Sequence, residues 1–376
     1  MKKGWNIVPM GELCSISSGD SDTQDAVADG PYAFFDRSKT IKRSSRFLYD
    51  CEALIIPGEG KEFLPRHFKG KFDLHQRAYA LFDFHAGLDV RFLYHFLHHR
   101  ADYFPSVAVG ATVKSLRRRH FENLPVPVPP FPEQQRIVAI LDEAFAGLAT
   151  ARANAEKNLQ SARAIFESHL HSVFTQRGAG WVERRLKDVC EKITDGTHQT
   201  PTYYDEGVIF LSSRNVTGGK INWERIRYID DKQHVEMHKR VAPRLNDVLL
   251  AKNGTTGVAA IVDRDVTFDI YVSLALLRAR NELLPKLLLH FINSPLAKQQ
   301  FNKRLKGIGV PNLHLEEIRE VVIPFPESLA EQKAITTKLD NLRRETQRLA
   351  GIYERKLAAV ESMKDSLLRE AFAGNL

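Results

Sequence analysis

The side chains in this sequence that could do chemistry are mostly polar and basic groups on predicted turns. In the second half, DGTHQTP (195–201), SSRNV (212–216) and AKNGTTG (251–257) place amide, guanidinium, ammonium and hydroxyl groups between apolar runs. Asn, Gln and Arg can bond to base edges in pairs of hydrogen bonds, while Lys and Arg neutralise phosphates. These turns therefore predict nucleic-acid contacts, although each one alone is also typical of an ordinary solvated loop.

The first half carries counterparts of these turns with different residues. They are FFDRSKTIKR (34–43), GEGK (58–61) and HQR (75–77), followed by the densest basic run at 114–119. Different side chains at matching places predict that the two halves read different base sequences. The predicted DNA-contact residues are Arg37, Lys39, Lys61, Gln76, Arg77, Lys114, Arg117, Arg118, Arg119, His198, Gln199, Thr200, Arg214, Asn215, Lys252, Asn253 and Thr255.

Catalytic chemistry is a weaker interpretation of the same sequence. Asp50, Glu59 and Lys61 have the residue types that hold Mg²⁺ and a water in many nucleases, but the matching residues of the second half, Asp247 with Asn253, Gly254 and Thr255, lack the Glu and the Lys. The helical triplet at 95–99 (HFLHH) has no Cys or carboxylate at a useful spacing. No phosphate-binding loop, dinucleotide fingerprint or amino-methyltransferase motif occurs, so we expect no metal, no cofactor and no activity of the chain alone.

Composition limits the class of protein without deciding it. The chain has 376 residues, 43% of them hydrophobic, enough for two or three domains with real cores. The net charge of +8 suits a polyanionic partner, and by itself it suits ordinary solubility as well. Three cysteines do not form a disulfide framework. With no apolar stretch near the ~20 residues of a membrane span and no signal segment, we expect a cytoplasmic protein without membrane contact.

The elements that position these side chains are repeated. Trp5–Cys14 matches Trp181–Cys190, and the EQQRIVAILDEAF run from Glu133 matches EQKAITTKLDNLR from Glu331. Weaker matches keep the same order, YHFL (94–97) with LHFI (289–292) and GATVKSL (110–116) with GIGVPNL (307–313). A period near half the chain predicts two similar globules, each followed by a long helix.

Apolar residues in both long helices follow the alternating four- and three-residue spacing of a coiled coil. The predicted core positions are Ile137, Leu141, Leu148, Ile165, Ile335, Leu339, Leu342, Leu349, Val360 and Leu367. Antiparallel pairing would bring the second helix back to the first globule. The alternative is that each helix lies on its own globule. Ser328 and Glu331 predict a capping box at the start of the second helix.

Each globule has the mixed pattern of an α+β fold. Short β-rich runs alternate with turns, a helix is predicted near 90–99 and 285–293, and stiff proline segments (125–132 and 323–326) lead into the long helices. The predicted domains are globules at 1–132 and 178–327, with coiled-coil helices at 133–177 and 328–376.

With this plan in place, the chain resembles the DNA-specificity subunit of type I restriction–modification systems. The resemblance rests on the duplicated plan, the DGTHQTP…FLSSRNV…DVLLAKNGTTG run, the IPFP…EQKAI helix entry and the closing LLREAFAGNL. It implies a non-catalytic subunit that reads a bipartite, asymmetric site in double-stranded DNA. It also implies two methyltransferase subunits on the helices and a translocating restriction subunit. The competing hypotheses are the Mg²⁺ nuclease and a coiled-coil scaffold for protein partners.

Overall fold

The computed structural model describes residues 4–216, 218–254, 256–305 and 312–376. The chain divides into two compact units. Unit 1 contains residues Met1–Glu156 and Glu354–Leu376, and unit 2 contains Lys157–Tyr353. Each long helix therefore contributes one part to each unit. Within the described residues, no helix has the length and apolar content needed to cross a membrane.

Unit 1 is built on a mixed sheet with helices packed against it. Its strands are β1 (Asn6–Pro9), β2 (Ser15–Ser18), β3 (Tyr32–Phe35), β4 (Lys42–Ser44), β5 (Tyr49–Pro57), β6 (Arg66–Leu74), β7 (Ala78–Phe82) and β8 (Pro125–Val128). Its helices are α1 (Val90–His99), α2 (Tyr103–Val107), α3 (Arg118–Glu122) and the first part of α4 (Phe131–Thr175). The main sheet has the order β2-β7-β5-β6-β3-β4, in which β3 and β6 are parallel, and β1 pairs with β8.

Unit 2 repeats this architecture. Its elements are β9 (Trp181–Arg185), α5 (Leu186–Val189), β10 (Cys190–Asp195), β11 (Val208–Leu211), β12 (Arg227–Ile229), α6 (Asp231–Arg240), β13 (Val248–Ala251), β14 (Val258–Ile261), β15 (Phe268–Ile270), β16 (Leu274–Ala279), α7 (Pro285–Ile292), α8 (Pro295–Asn302), α9 (Leu315–Arg319), β17 (Val322–Pro326) and the first part of α10 (Leu329–Ala373). The sheets have the orders β10-β16-β13-β14 and β12-β11-β15, and β9 pairs with β17.

The two units differ where one long strand is divided. In unit 1, β6 pairs with β5 along most of its length and with β3 at its end, which joins the whole sheet. In unit 2, β14 pairs with β13, and the separate strand β15 pairs in parallel with β11. The predicted α+β class with two similar globules is confirmed. The proline segments form β8, which pairs with β1, and β17, which pairs with β9.

The long helices pack antiparallel within each unit. In unit 1, the ammonium of Lys364 lies 5.6 Å from the ring centre of Phe145, and Phe372 packs in the core that contains Ile137. In unit 2, the guanidinium of Arg343 lies 6.0 Å from the ring centre of Phe166. Numbering thus rises along one helix as it falls along the other.

Not all of the predicted core positions in the long helices are buried. Ile137, Leu141 and Leu339 are buried as predicted, but Ile165 is wrong as a core position, because 49% of its surface is exposed. From Ala162 onward the fully buried side chains lie at multiples of four residues, at Leu170 and Phe174. This spacing departs from the alternating four- and three-residue spacing of a coiled coil. The remaining predicted positions are half-buried: Leu148, Ile335, Leu342, Leu349, Val360 and Leu367.

Two equivalent glutamines join each long helix to its globule. Gln134 accepts from the backbone N–H of Asp89 (2.8 Å) and donates to the carbonyls of Gly87 and Pro129. Gln332 makes the same three bonds with Leu284, Glu282 and Pro326 in unit 2.

The predicted capping box at α10 is only half formed. The Ser328 hydroxyl accepts from the N–H of Glu331 at 3.4 Å, whereas the Glu331 carboxylate accepts from the indole N–H of Trp181.

Candidate nucleic-acid interface

A buried carboxylate holds the polar loops of unit 2 together. Asp195, at the end of β10, accepts from the Arg240 guanidinium at 2.7 Å and pairs with the Lys252 ammonium at 3.2 Å. Burial alone would raise the pKa of Asp195, but the hydrogen bonds from these two cations outweigh it and hold the pKa below its ordinary value. The ionised carboxylate thus connects the DGTHQTP loop to α6 through Arg240 and to the AKNGTTG turn through Lys252.

The DGTHQTP loop leaves this anchor through a glycine that no other residue could replace. A Cβ at Gly196 would lie 1.8 Å from the carbonyl oxygen of Ile270. The close approach lets the N–H of Thr197 donate to that carbonyl at 3.0 Å. The next three side chains all project from the loop into solvent: His198, Gln199 and Thr200.

Beside this loop lies a recess of about 360 Å³ with an aromatic floor and arginines around it. Tyr203, Phe210 and Tyr271 form the floor, with ring centres about 6 Å apart (6.0 and 6.2 Å). The guanidinium of Arg227 stacks 4.2 Å above Tyr203. Exposed guanidinium groups over aromatic rings offer both planar stacking and paired hydrogen bonds to a nucleic acid. We call this feature the arginine recess; its basic residues are Arg214, Arg225 and Arg227.

Two predicted contact residues of unit 2 have structural roles instead. Asn215 is 6% exposed. Its amide accepts from the N–H of Ser212 and donates to the carbonyls of Asn222 and Arg225, so no group is left for a base. Lys252 is 5% exposed, and its ammonium pairs with Asp195.

The other predicted positions in unit 2 have mixed outcomes. Arg214 is exposed at the arginine recess, and Asn253 is half-buried. Thr255 lies outside the described residues, as does most of the GIGVPNL segment.

Unit 1 gathers part of its predicted set around one acid. Glu59 accepts from Arg77 at 3.0 Å and from the Ser115 hydroxyl at 3.0 Å, and Arg37 lies 3.7 Å away. Burial would raise the pKa of Glu59, but the hydrogen bonds from Arg77 and Ser115 lower it further than burial raises it. Arg37 and Arg77 are both exposed beyond this acid, so their outer faces remain accessible.

The remaining basic residues of unit 1 lie on its surface. Lys61 and Lys114 come from loops that are joined by the bond from the N–H of Gly60 to the carbonyl of Lys114 (3.0 Å). Three predicted contacts are already bonded within the chain: Lys39 pairs with Glu62 at 2.8 Å, Arg118 pairs with Glu122 at 2.7 Å, and the Gln76 amide donates to Asp22 at 3.2 Å. The exposed residues also include Gln76, Arg117 and Arg119.

The nuclease hypothesis does not fit this geometry. Asp50 lies at the start of β5 and Glu59 beyond its end. Seven residues of extended strand separate Asp50 from Pro57, which is about 23 Å at 3.3 Å per residue. One metal ion cannot bridge groups that far apart, and Glu59 is already bound by Arg77.

The histidines of α1 belong to a structural contact. The Nε2 of His95 lies 2.7 Å from the carboxylate of Asp142, and His290 repeats the contact with Asp340 at 2.9 Å. Burial and, to a smaller extent, the nearby Lys364 lower the pKa of His98 to about 4. The His95 and His290 rings are buried parts of the junctions of α1 with α4 and of α7 with α10.

Sequence reasoning misses the residues that complete the arginine recess. Tyr203, Arg225, Arg227 and Tyr271 are not among the predicted contacts, although the tyrosine pair of YYDEG and the arginines beside a tyrosine in ERIRY are a recognisable nucleic-acid signal. The segments are far apart in sequence, and only the β11–β12 and β11–β15 pairings bring them together.

Comparison with known proteins gives the relationship. The sequence model of the type I restriction modification DNA specificity domain matches twice, at residues 2–157 and 179–354. The chain belongs to this family. Membership confirms both the internal repeat and the prediction of a specificity subunit, which is a non-catalytic class.

Curated relatives are similar over most of the chain. The EcoBI specificity subunit of Escherichia coli is 22% identical over 312 residues, covering 76% of this chain and 65% of the relative. The MjaVIII specificity subunit of Methanocaldococcus jannaschii is 22% identical, covering 77% of this chain and 71% of the relative. The chain thus spans about two thirds of the length of these relatives.

Solved structures share the fold. A chain from a study of complex assembly and conformational transition of the type I R-M system has a TM-score of 0.75 at 19% identity, covering 100% of this chain and 99% of that one. The HsdS subunit from Thermoanaerobacter tengcongensis has a TM-score of 0.57 at 19% identity, covering 100% and 98%.

Proposed function

We propose that this protein is the sequence-reading subunit of a type I restriction–modification complex and binds double-stranded DNA. Unit 1 reads one half of a bipartite, asymmetric site and unit 2 reads the other. The observation that carries the proposal is the arginine recess, where exposed guanidinium groups surround aromatic rings beside the projecting side chains of His198, Gln199 and Thr200.

The differences between the units support separate readings of the two half-sites. Asn253 of unit 2 and Glu59 of unit 1 lie at matching positions, because each forms an isolated β-bridge with a later loop of its own unit. In unit 1, arginines pair with the Glu59 carboxylate. A carboxylate only accepts hydrogen bonds, whereas an amide both donates and accepts, so the two side chains at this place in a shared fold favour different bases. The coiled coil of α4 and α10 would then carry two methyltransferase subunits, with a restriction subunit joining the complex.

A salt titration of DNA affinity tests the proposal against the protein-scaffold alternative. Each phosphate that the protein neutralises adds about 0.9 to the slope of log affinity against log salt. The double change Arg117→Ala and Arg119→Ala should lower that slope by up to ~1.8 for all DNA sequences. Arg348→Ala is the matched control, since Arg348 is an equally exposed arginine on α10. DNA affinity that is independent of salt would refute the proposal.

A further inference from the structure

Two histidines and a buried aspartate in unit 2 have the composition of a transition-metal site. His234 and His238 lie one turn apart on α6 and therefore on the same face of the helix. Asp269 in β15 is 0% exposed. The Nδ1 of His234 lies 2.7 Å from one oxygen of this carboxylate, and the Nδ1 of His238 lies 3.0 Å from the other.

Unit 1 shows what this buried aspartate requires. Its counterpart Asp73, on β6 beside the same parallel strand pair, accepts from the hydroxyls of Ser21 and Ser44 at 2.8 and 2.9 Å. The guanidinium of Arg46 lies 3.5 Å away and supplies a permanent positive charge. In unit 2 two imidazole rings replace these groups. Each ring places one nitrogen within hydrogen-bond distance of the buried carboxylate, in a geometry that a metal ion could bridge.

We propose that His234, His238 and Asp269 bind a divalent transition-metal ion such as Zn²⁺. Imidazole and carboxylate ligands suit zinc, and three protein ligands leave a fourth position for water. Each ring would carry its proton on Nε2, so that the Nδ1 lone pair faces the metal. Tetrahedral ligands at zinc distances are about 3.3 Å apart, so each Nδ1 needs to move away from the carboxylate oxygen beside it by only a few tenths of an ångström.

The metal site would fix α6 against the 195–202 loop. Gln233, beside His234, accepts from the N–H of Thr202 at 2.9 Å, and Arg240, on the last turn, binds Asp195. A metal that holds α6 to β15 would thereby hold both ends of the 195–202 loop. The consequence for DNA reading rests on the proposed function, whereas metal binding itself does not.

Isothermal titration of Zn²⁺ into the tag-free, chelator-stripped full chain tests the site. We expect one ion per chain from this cluster. Changing a partner of a metal ligand already costs 10–100-fold in affinity, so His234→Gln and His238→Gln should each weaken binding by at least ~100-fold. Glutamine keeps a hydrogen-bonding group for Asp269. His314→Gln is the control, because His314 is an exposed histidine of the same unit.

Two further measurements keep the result decisive. Wild-type protein should unfold at a higher temperature with Zn²⁺ than with EDTA, and an unchanged midpoint would overturn the proposal even if a variant fails to fold. Zinc binding that survives both histidine changes would also overturn it. DNA binding in EDTA is measured separately: a chain that binds zinc but no DNA refutes the proposed function alone, and the reverse result refutes the metal site alone.

Discussion

At the scale of single residues, the interface contains two kinds of polar side chain that look alike in sequence. Arg214 and Asn215 are neighbours in SSRNV, but Arg214 is exposed at the arginine recess while the Asn215 amide is fully bonded inside the turn. Only the first is available to a base. A substitution at Arg214 should therefore affect base recognition, whereas a substitution at Asn215 should affect stability.

We predict that Arg214→Ala weakens binding to the preferred DNA sequence by about 1–3 kcal/mol and relaxes the preference at one base position. Asn215→Ala should instead lower the free energy of unfolding, because it leaves backbone groups of Ser212, Asn222 and Arg225 without their partner. Binding to a panel of single-base variants measures the first effect and urea unfolding the second. An equal loss on every DNA sequence would contradict base reading by Arg214.

Asp195 gives a prediction about stability. Asp195→Ala leaves the buried Lys252 ammonium uncompensated and should cost about 3 kcal/mol of unfolding free energy. Adding Lys252→Met should recover part of this loss, since it removes the unpaired charge. Glu183→Ala is the control, because Glu183 pairs with Arg177 at 2.6 Å on the surface and should cost under about 1 kcal/mol. Equal losses in the two single variants would show that Asp195 is not an anchor.

At the scale of elements, the burial of His98 on α1 makes the stability of unit 1 depend on pH. The pKa of His98 falls from 6.5 to about 4 on folding, so the ring stays neutral in the folded state while the unfolded chain takes up a proton. Stability is therefore fully present above pH 6.5 and is lost as pH falls toward 4.

This dependence can be assigned to one ring. Between pH 7 and pH 5, His98 should account for about 2 kcal/mol of lost unfolding free energy. His98→Gln should remove that part of the loss, whereas His85→Gln, at an exposed ring, should leave it unchanged. Urea unfolding at both pH values, followed through Trp5, is the measurement. The same pH dependence in the His98 variant would contradict the assignment.

Whether an element can be predicted from the sequence depends on whether its polar residues are exposed or buried. The helix Val90–His99 has the predicted bounds, and α7 (Pro285–Ile292) ends within one residue of its prediction. Strand β6 (RHFKGKFDL) escapes sequence reasoning because its first part is half-exposed and charged, and its buried end contains Asp73. A buried acid inside a strand reads as a surface residue until its hydrogen-bond partners are known.

The candidate site shows the same limit. The residue types and the loops that carry them could be predicted from DGTHQTP and SSRNV, but the direction of each side chain could not. Lys252 faces inward because Asp195 accepts it, and Arg227 faces outward on Tyr203. These directions are decided by contacts between segments that are distant in sequence, and no local pattern encodes them.

At the scale of the whole molecule, we expect unit 1 to recognise its half-site independently of unit 2. Its core includes parts of both long helices, since Ile137 and Leu141 of α4 and Phe372 of α10 are buried in it together. A replacement from a related chain must therefore carry residues 1–156 together with 354–376, or the graft would lose its own core. Unit 2, at 157–353, keeps its arginine recess in such a chimera.

The most direct test of the central claim is selection of bound sites from a randomised DNA library by the wild-type chain and by this chimera, each with its partner subunits. We predict that both select a bipartite sequence, that the half read by unit 2 is identical in the two, and that the half read by unit 1 changes. Enrichment of no sequence, or a change in both halves, would contradict the account.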